Sequence, residues 1–326
     1  MAVVAVDNRL ADLIDLDVQP ERIATGYRFT EGPVWNCRDK SLIFVDIEFG
    51  NPEGGAMYRW TEGAGAQIFR SPSQNSSGNT YDRQGCLVTC VNGGHKVVRT
   101  NSDGRIETLA SSYNGRSLSA PNDLICTPNG DIIFTDPAPR QQARSAVYRI
   151  SAGDGSLTLL TEALIFPNGL VMSVDGSRLY VDDSSEGHVR VFDVGADGRL
   201  SNDRIFCELK AEGLPQEVAD FLYVQRNAAW SETFLPLTAR APDGMKMDSL
   251  GNLYVAPNRS EGVWVFDPEG VLLGFIGVGE EESAYGEGGL GGPANLAWGD
   301  DDWQTLYITA VTSVYRVRLK VPGQSV

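Results

Sequence analysis

Pro121-Asn122-Asp123 opens a stretch that runs through a turn to Ile132-Ile133-Phe134-Thr135-Asp136. A polar residue beside a proline is followed by a short strand, a turn and a strongly apolar strand. The same unit is written five more times. It runs from Glu31-Gly32-Pro33-Val34-Trp35 to Leu42-Ile43-Phe44-Val45-Asp46, and from Gly78-Asn79-Thr80 to Cys86-Leu87-Val88-Thr89. It runs again from Pro167-Asn168-Gly169 to Leu179-Tyr180-Val181-Asp182, and from Pro242-Asp243-Gly244 to Leu253-Tyr254-Val255-Ala256. The last copy leads from Pro293-Ala294-Asn295 to Leu306-Tyr307-Ile308-Thr309.

A third strand of alternating character follows each pair, as in His188-Val189-Arg190-Val191-Phe192 and Gly262-Val263-Trp264-Val265-Phe266. A weaker fourth strand often ends the unit, as in Leu157-Thr158-Leu159-Leu160. Asp-Gly turns at 103–104, 154–155 and 197–198 separate the last two strands, and that dipeptide is a strong hairpin signal. Four short antiparallel strands recurring at about 45–50 residues describe propeller blades. The chain is therefore expected to be all-β, a six-bladed β-propeller with four-stranded antiparallel blades. A single domain over 1–326 is expected.

The starts at 31, 79, 122, 168, 243 and 295 are spaced by 48, 43, 46, 75 and 52 residues. The long interval predicts an insertion at about 208–240, between blades four and five. Its apolar residues, among them Tyr223 and Trp230, suit either a lid over the channel or a subunit contact. Arg22-Ile23-Ala24-Thr25 precedes the first unit and is expected to supply the outer strand of blade six, closing the ring.

In a propeller the first strand of each blade lines the central channel. The residues opening the repeats, Glu31, Asn79, Asn122, Asn168, Asp243 and Asn295, should then face the axis. Polar side chains gathered in a narrow channel are costly if left dry and unpaired, and a cation ringed by their oxygens would satisfy them. Two carboxylates with neutral amide oxygens form a hard donor set. It suits calcium, or magnesium and manganese less selectively, better than zinc or copper.

Composition narrows the functions further. The net charge is −16, a field that repels nucleic acid and anionic membranes. No apolar stretch reaches 18 residues, and Met1–Asp7 lacks the basic start of a secretory signal, so a cytoplasmic location is expected. The five scattered cysteines fit no disulfide framework or zinc site and are expected to be mostly buried thiols. With only His95 and His188 present, a histidine-rich zinc centre is excluded; neither lies in a nucleophile-elbow sequence, and neither is expected to be catalytic.

Four motifs now stand in order: Glu31-Gly32-Pro33-Val34-Trp35, Ser119-Ala120-Pro121-Asn122-Asp123, Phe166-Pro167-Asn168-Gly169-Leu170 and Pro242-Asp243-Gly244-Met245. Together they resemble the regucalcin/gluconolactonase (senescence marker protein) family of calcium-dependent six-bladed propeller lactonases, over about residues 20–320. The resemblance implies Glu31, Asn168 and Asp243 as metal ligands, Asp243 as general base, and Asn122 as a metal or substrate neighbour. Asn122 and Asn79 are expected to orient the substrate. One divalent cation is expected, calcium first, with magnesium, manganese or zinc as replacements in vitro.

The sequence departs from the family where the animal branch has an arginine, here Ala120. It departs again where the bacterial branch often reads Cys-Glu-His-Gly, here Cys90-Val91-Asn92-Gly93. The expected function is hydrolysis of a lactone, sugar-type or more hydrophobic. The alternatives are hydrolysis of other esters or phosphotriesters at the same site, or a non-catalytic calcium-binding propeller. The expected partner is a small lactone or ester, with oligomerisation left open.

Overall fold

The computed structural model describes residues 3–138, 144–210, 214, 241–258, 260, 262–278 and 292–324. Six antiparallel blades follow one another around a ring. Blade one is built from Thr30–Asn36, Ser41–Asp46, Ala56–Thr61 and Gly65–Arg70, paired in that order from the inside out. Blade four repeats the plan with Pro167–Met172, Arg178–Asp183, His188–Val194 and Leu200–Glu208. Blades two and three begin with Ser76–Tyr81 and Leu124–Cys126. Blades five and six begin with Ala241–Met247 and Pro293–Gly299. The second strands read as apolar runs because they are buried on both faces: all six residues of Thr305–Ala310 are inaccessible.

The ring closes as the repeat count requires. Glu21–Thr25 pairs antiparallel with Ser313–Arg318 and becomes the outer strand of the last blade. A feature not expected from the sequence sits next to it. Val3–Ala5 pairs with Leu272–Gly277 and gives blade five a fifth strand. Three residues are too few for any periodic signal to show. The short helix Leu10–Leu13 then buries Leu10 and Ile14 in the core shared by blades five and six, beside Tyr254, Val263 and Leu296. Trp264 of blade five shares a second core with Val171 and Tyr180 of blade four. Trp264 is fully buried, with Phe275 edge-on at a centroid distance of 4.8 Å.

Two devices set how each first strand meets the channel. In blades one, three and four an aspartate ends the second strand and accepts hydrogen bonds from the two N–H groups just before the first strand. Asp46 holds Arg28 and Phe29, Asp136 holds Ser119 and Ala120, and Asp183 holds Ile165 and Phe166. Next comes a break in register near the start of the first strand, between Glu31 and Val34 in blade one and between Pro167 and Leu170 in blade four. The residue at the break is glycine because the next blade is too near for a side chain. A Cβ on Gly32 would stand 1.9 Å from Ser77 O, and one on Gly169 would stand 2.0 Å from Asp243 O.

Only Cys90 and Cys207 are buried among the cysteines, whereas Cys37 is exposed, so the expectation of mostly buried thiols fails; all five are free. The expected insertion at 208–240 lies outside the described residues, apart from 208–210 and Leu214. Among the described residues no helix is long and apolar enough to cross a membrane.

Candidate active site and metal centre

The repeating register brings Glu31, Asn122, Asn168 and Asp243 to one cavity of about 410 Å³ at one end of the channel. Four residues expected from the sequence therefore meet in space. In blades one, four and five the side chain stands at the break in register, Glu31 at its edge and Asn168 and Asp243 within it, whereas Asn122 lies just ahead of the first strand of blade three.

Asn79 stands elsewhere. By register the equivalent place in blade two is Ser77, which lines the cavity. Asn79 lies two residues further along and is absent from the cavity wall. Its Nδ2 donates to Gly32 O at 2.8 Å and Ser77 O at 3.0 Å, and its Oδ1 accepts from Thr89 Oγ1 at 2.7 Å. Its amide is thus engaged by the backbone that carries the site and by the Thr89 hydroxyl. Asn295 is offset by one residue, leaving Ala294 at the register place in blade six. Its Nδ2 donates to Glu31 Oε2 at 3.0 Å and Asp123 Oδ2 at 3.5 Å.

Ser184 and Asn258 also line the cavity, and sequence reasoning missed both. They occupy matching places at the outgoing end of the second strand in blades four and five. Ser184 Oγ donates to Pro242 O at 2.6 Å and accepts from Asn168 Nδ2 at 3.2 Å. Asn258 Nδ2 donates to Asp243 Oδ2. Asn258 ends its second strand and Ser184 directly follows its own, positions that no repeat in the sequence marks. Neither histidine lines the cavity.

The electrostatics of this place are severe. Glu31 and Asp243 are 3% and 5% exposed. Burial, then the neighbouring charge of Asp123, pushes Glu31 up to about 7, against the hydrogen bonds from Asn295 and Gly32. Burial and then the charge of Glu31 hold Asp243 well above the usual carboxylate range, against the hydrogen bonds from Asn258 and Asn168. Each carboxylate thus makes the other harder to ionise. Lys246 lies near enough to favour the ionised forms of Glu31 and Asp123.

Two buried oxygens in this cluster, Glu31 Oε1 and Asn258 Oδ1, have no hydrogen-bond partner among the described residues. Unpartnered acceptors beside two carboxylates fit a cation. Among the described residues no three histidine, cysteine or acidic side chains form a metal cluster. The donors on offer are two carboxylates, amide oxygens and a serine hydroxyl, which is hard-oxygen chemistry.

Residues 29–312 match the family described as SMP-30/Gluconolactonase/LRE-like region. The chain belongs to this family. Among relatives of this SMP-30/gluconolactonase chain is a gluconolactonase of Zymomonas mobilis, 28% identical over 342 residues, covering 97% of this chain and 85% of the relative. A solved gluconolactonase of Xanthomonas campestris is 26% identical with a TM-score of 0.76, over 99% of this chain and 95% of that one. A regucalcin of Agrobacterium tumefaciens, described as a calcium-binding protein, is 13% identical with a TM-score of 0.70, over 94% and 95% of the two chains. At that identity the likeness concerns the fold.

Proposed function

We propose that the chain is a calcium-dependent lactonase whose metal is held by Glu31, Asn168 and Asp243. The observation carrying this is the convergence of two buried carboxylates, Glu31 and Asp243, with the unpartnered Glu31 Oε1, in a cavity open to a small molecule. Burying two such groups without a counter-charge is expensive, and a divalent cation offsets that cost. Family membership supports lactone hydrolysis, and the carboxylate and amide oxygens lining the cavity support the choice of metal.

A bound divalent cation would act as a Lewis acid on the lactone carbonyl. The protein's own groups then have separable tasks. Asp243, ionised beside a cation, accepts a proton from the attacking water. The water oxygen bonds to the carbonyl carbon, the ring C–O bond breaks, and a proton goes to the departing alkoxide, leaving a hydroxy acid. Asn122, whose Oδ1 accepts from Ser77 Oγ at 3.0 Å, is fixed to orient the substrate. Asn79 acts one step removed, by holding the Gly32 and Ser77 carbonyls.

Proton release from a panel of lactones, aryl esters and phosphotriesters, with and without chelator, tests the reading. Lactone turnover that disappears on chelation and returns with Ca²⁺ is expected. Preferential turnover of phosphotriesters, or calcium binding with no turnover of any substrate, would overturn it.

A further inference from the structure

The cavity has two chemically different walls. One is the oxygen-lined wall of Glu31, Asn168 and Asp243. The other is apolar, formed by Phe29, Ile47, Phe49 and Pro52 of blade one with Phe166 of blade four. Phe29 and Phe166 stand at the same register place, two residues before Glu31 and Asn168. Their N–H groups are held by Asp46 at 3.0 Å and Asp183 at 3.1 Å, which fixes the backbone that carries both rings. Phe49 packs edge-on against Phe29, with centroids 5.1 Å apart and planes at 65°. Phe49 is nonetheless 43% exposed, a large apolar face on the rim of a cavity.

The loop bearing Phe49 is held firmly. Ile47 N donates to Phe29 O at 2.8 Å. Asn75, just ahead of the first strand of blade two and itself on the cavity wall, binds the loop three times. Its Oδ1 accepts from Glu48 N at 2.9 Å, and its Nδ2 donates to Glu48 O at 3.0 Å and Asn51 O at 2.9 Å. The Glu48 carboxylate pairs with Arg28 at 3.0 Å, and neither residue lines the cavity. The apolar wall is therefore preorganised, and both acidic side chains of the loop are engaged off the cavity wall, Glu53 by accepting from Gln74 Nε2 at 2.9 Å.

A polyol laid on this wall would leave hydroxyls without partners against phenyl and isoleucine surface, whereas an aryl or alkyl group gains by leaving water. Building on the lactonase reading, we infer that the pocket takes a lactone with its carbonyl toward Glu31 and Asp243 and an aryl or alkyl substituent against Phe29, Ile47, Phe49 and Phe166. Asn75 is the positioning residue that holds the Phe49 loop in place.

The test uses the calcium-loaded full chain with δ-gluconolactone, dihydrocoumarin and γ-nonalactone, and calorimetric binding of 2-hexylcyclopentanone, which cannot be hydrolysed. The parent should turn over the two apolar lactones at least as efficiently as gluconolactone and should bind the ketone. Phe49→Ala should lower the apolar-to-polyol ratio of kcat/KM by roughly tenfold and weaken the ketone similarly, with Phe49→Leu restoring both. Asn75→Ala should raise KM for γ-nonalactone with little change in kcat. Adding Phe49→Ala to it should cost little more, as for two residues acting as one unit. If Asn75→Ala fails to fold, the Phe49 pair decides alone. No lactone hydrolysis by the parent would overturn the underlying lactonase reading. Hydrolysis with gluconolactone preferred, an unchanged ratio in Phe49→Ala and no ketone binding would overturn the apolar wall and leave the lactonase standing.

Discussion

The side-chain amide of Asn295, on the first strand of the last blade, donates to the carboxylate of Glu31, on the first strand of the first, at 3.0 Å. This hydrogen bond crosses the seam where the ring closes. It also lies directly behind the proposed metal site, so closure of the fold and orientation of a ligand share one contact. Replacing Asn295 with Leu removes a donor to a charged group, an interaction worth about 1.5–3 kcal/mol. Calcium affinity, measured by calorimetry, should fall by at least about tenfold, with a lower melting temperature.

Asp243 carries two proposed tasks, and its replacement separates them from mere folding. Asp243→Asn keeps the shape and removes the charge. Activity should fall by two orders of magnitude or more, consistent with losing about 10²–10⁴ from general base catalysis alone. In the parent, calcium at about 100 times its Kd should add about 2.7 kcal/mol of stability. In the variant the same addition should leave the thermal midpoint almost unmoved. An unchanged calcium shift in Asp243→Asn would place the metal elsewhere.

Gly169 tests the close approach between blades. Its added methyl would meet Asp243 O at 2.0 Å and Asp182 Oδ2 at 2.8 Å, and the nearer of these is backbone. Gly169→Ala should therefore destabilise by about 1–3 kcal/mol through overpacking, read from urea unfolding. The surface glycine at 104, with nothing near its Cβ position but a positive φ of 81°, provides a comparison in which only backbone strain acts.

Asp302 offers a pH test away from the site. Arg318 grips its carboxylate through Nη1 at 2.9 Å and Nη2 at 2.7 Å, and Gln304 N donates at 3.1 Å. These bonds lower it from 3.8 to about 2, the Arg318 side chain being the largest cause. A depressed folded value means that the contribution is present above the unfolded value and is lost as pH falls through the folded one. The stability difference between parent and Asp302→Asn should be full above about pH 5, fall as the pH drops toward about 2 and vanish below it. A difference independent of pH would show that the ion pair contributes nothing.

The blade count and four cavity residues were legible because one pattern was repeated. Glu31, Asn168 and Asp243 each stand immediately before a glycine and within two residues of a proline, and each apolar second strand follows at nearly constant distance. Ser77 was not legible for a local reason. It stands before Gly78 as the others stand before theirs, but Asn79, two residues on, matches the residue types of the neighbouring repeats better. Only the pairing of Ser76 with Val91 and Asn79 with Thr89 fixes the register. Ser184 and Asn258 depend on where the second strand ends at the channel, a property of three-dimensional pairing with no periodic trace. The apolar wall was legible least of all. Phe29 and Phe166 carry no sequence mark of a cavity wall, and only the folded arrangement brings them together there.

The outer strand of the last blade, Glu21–Thr25, belongs to the opposite end of the chain from its partner Ser313–Arg318. For a polypeptide emerging from the ribosome this imposes an order of events. Glu31 is made early, yet its partner Asn295 arrives 264 residues later. A nascent chain can stack its early blades one at a time. It cannot complete the carboxylate cluster until Asn295 is made, or pair Glu21–Thr25 until Ser313–Arg318 follows. The open ring must survive that interval with an exposed strand edge, the condition in which β-rich chains pair with their neighbours. Calcium binding should then switch on late and all at once along a series of stalled chains of increasing length.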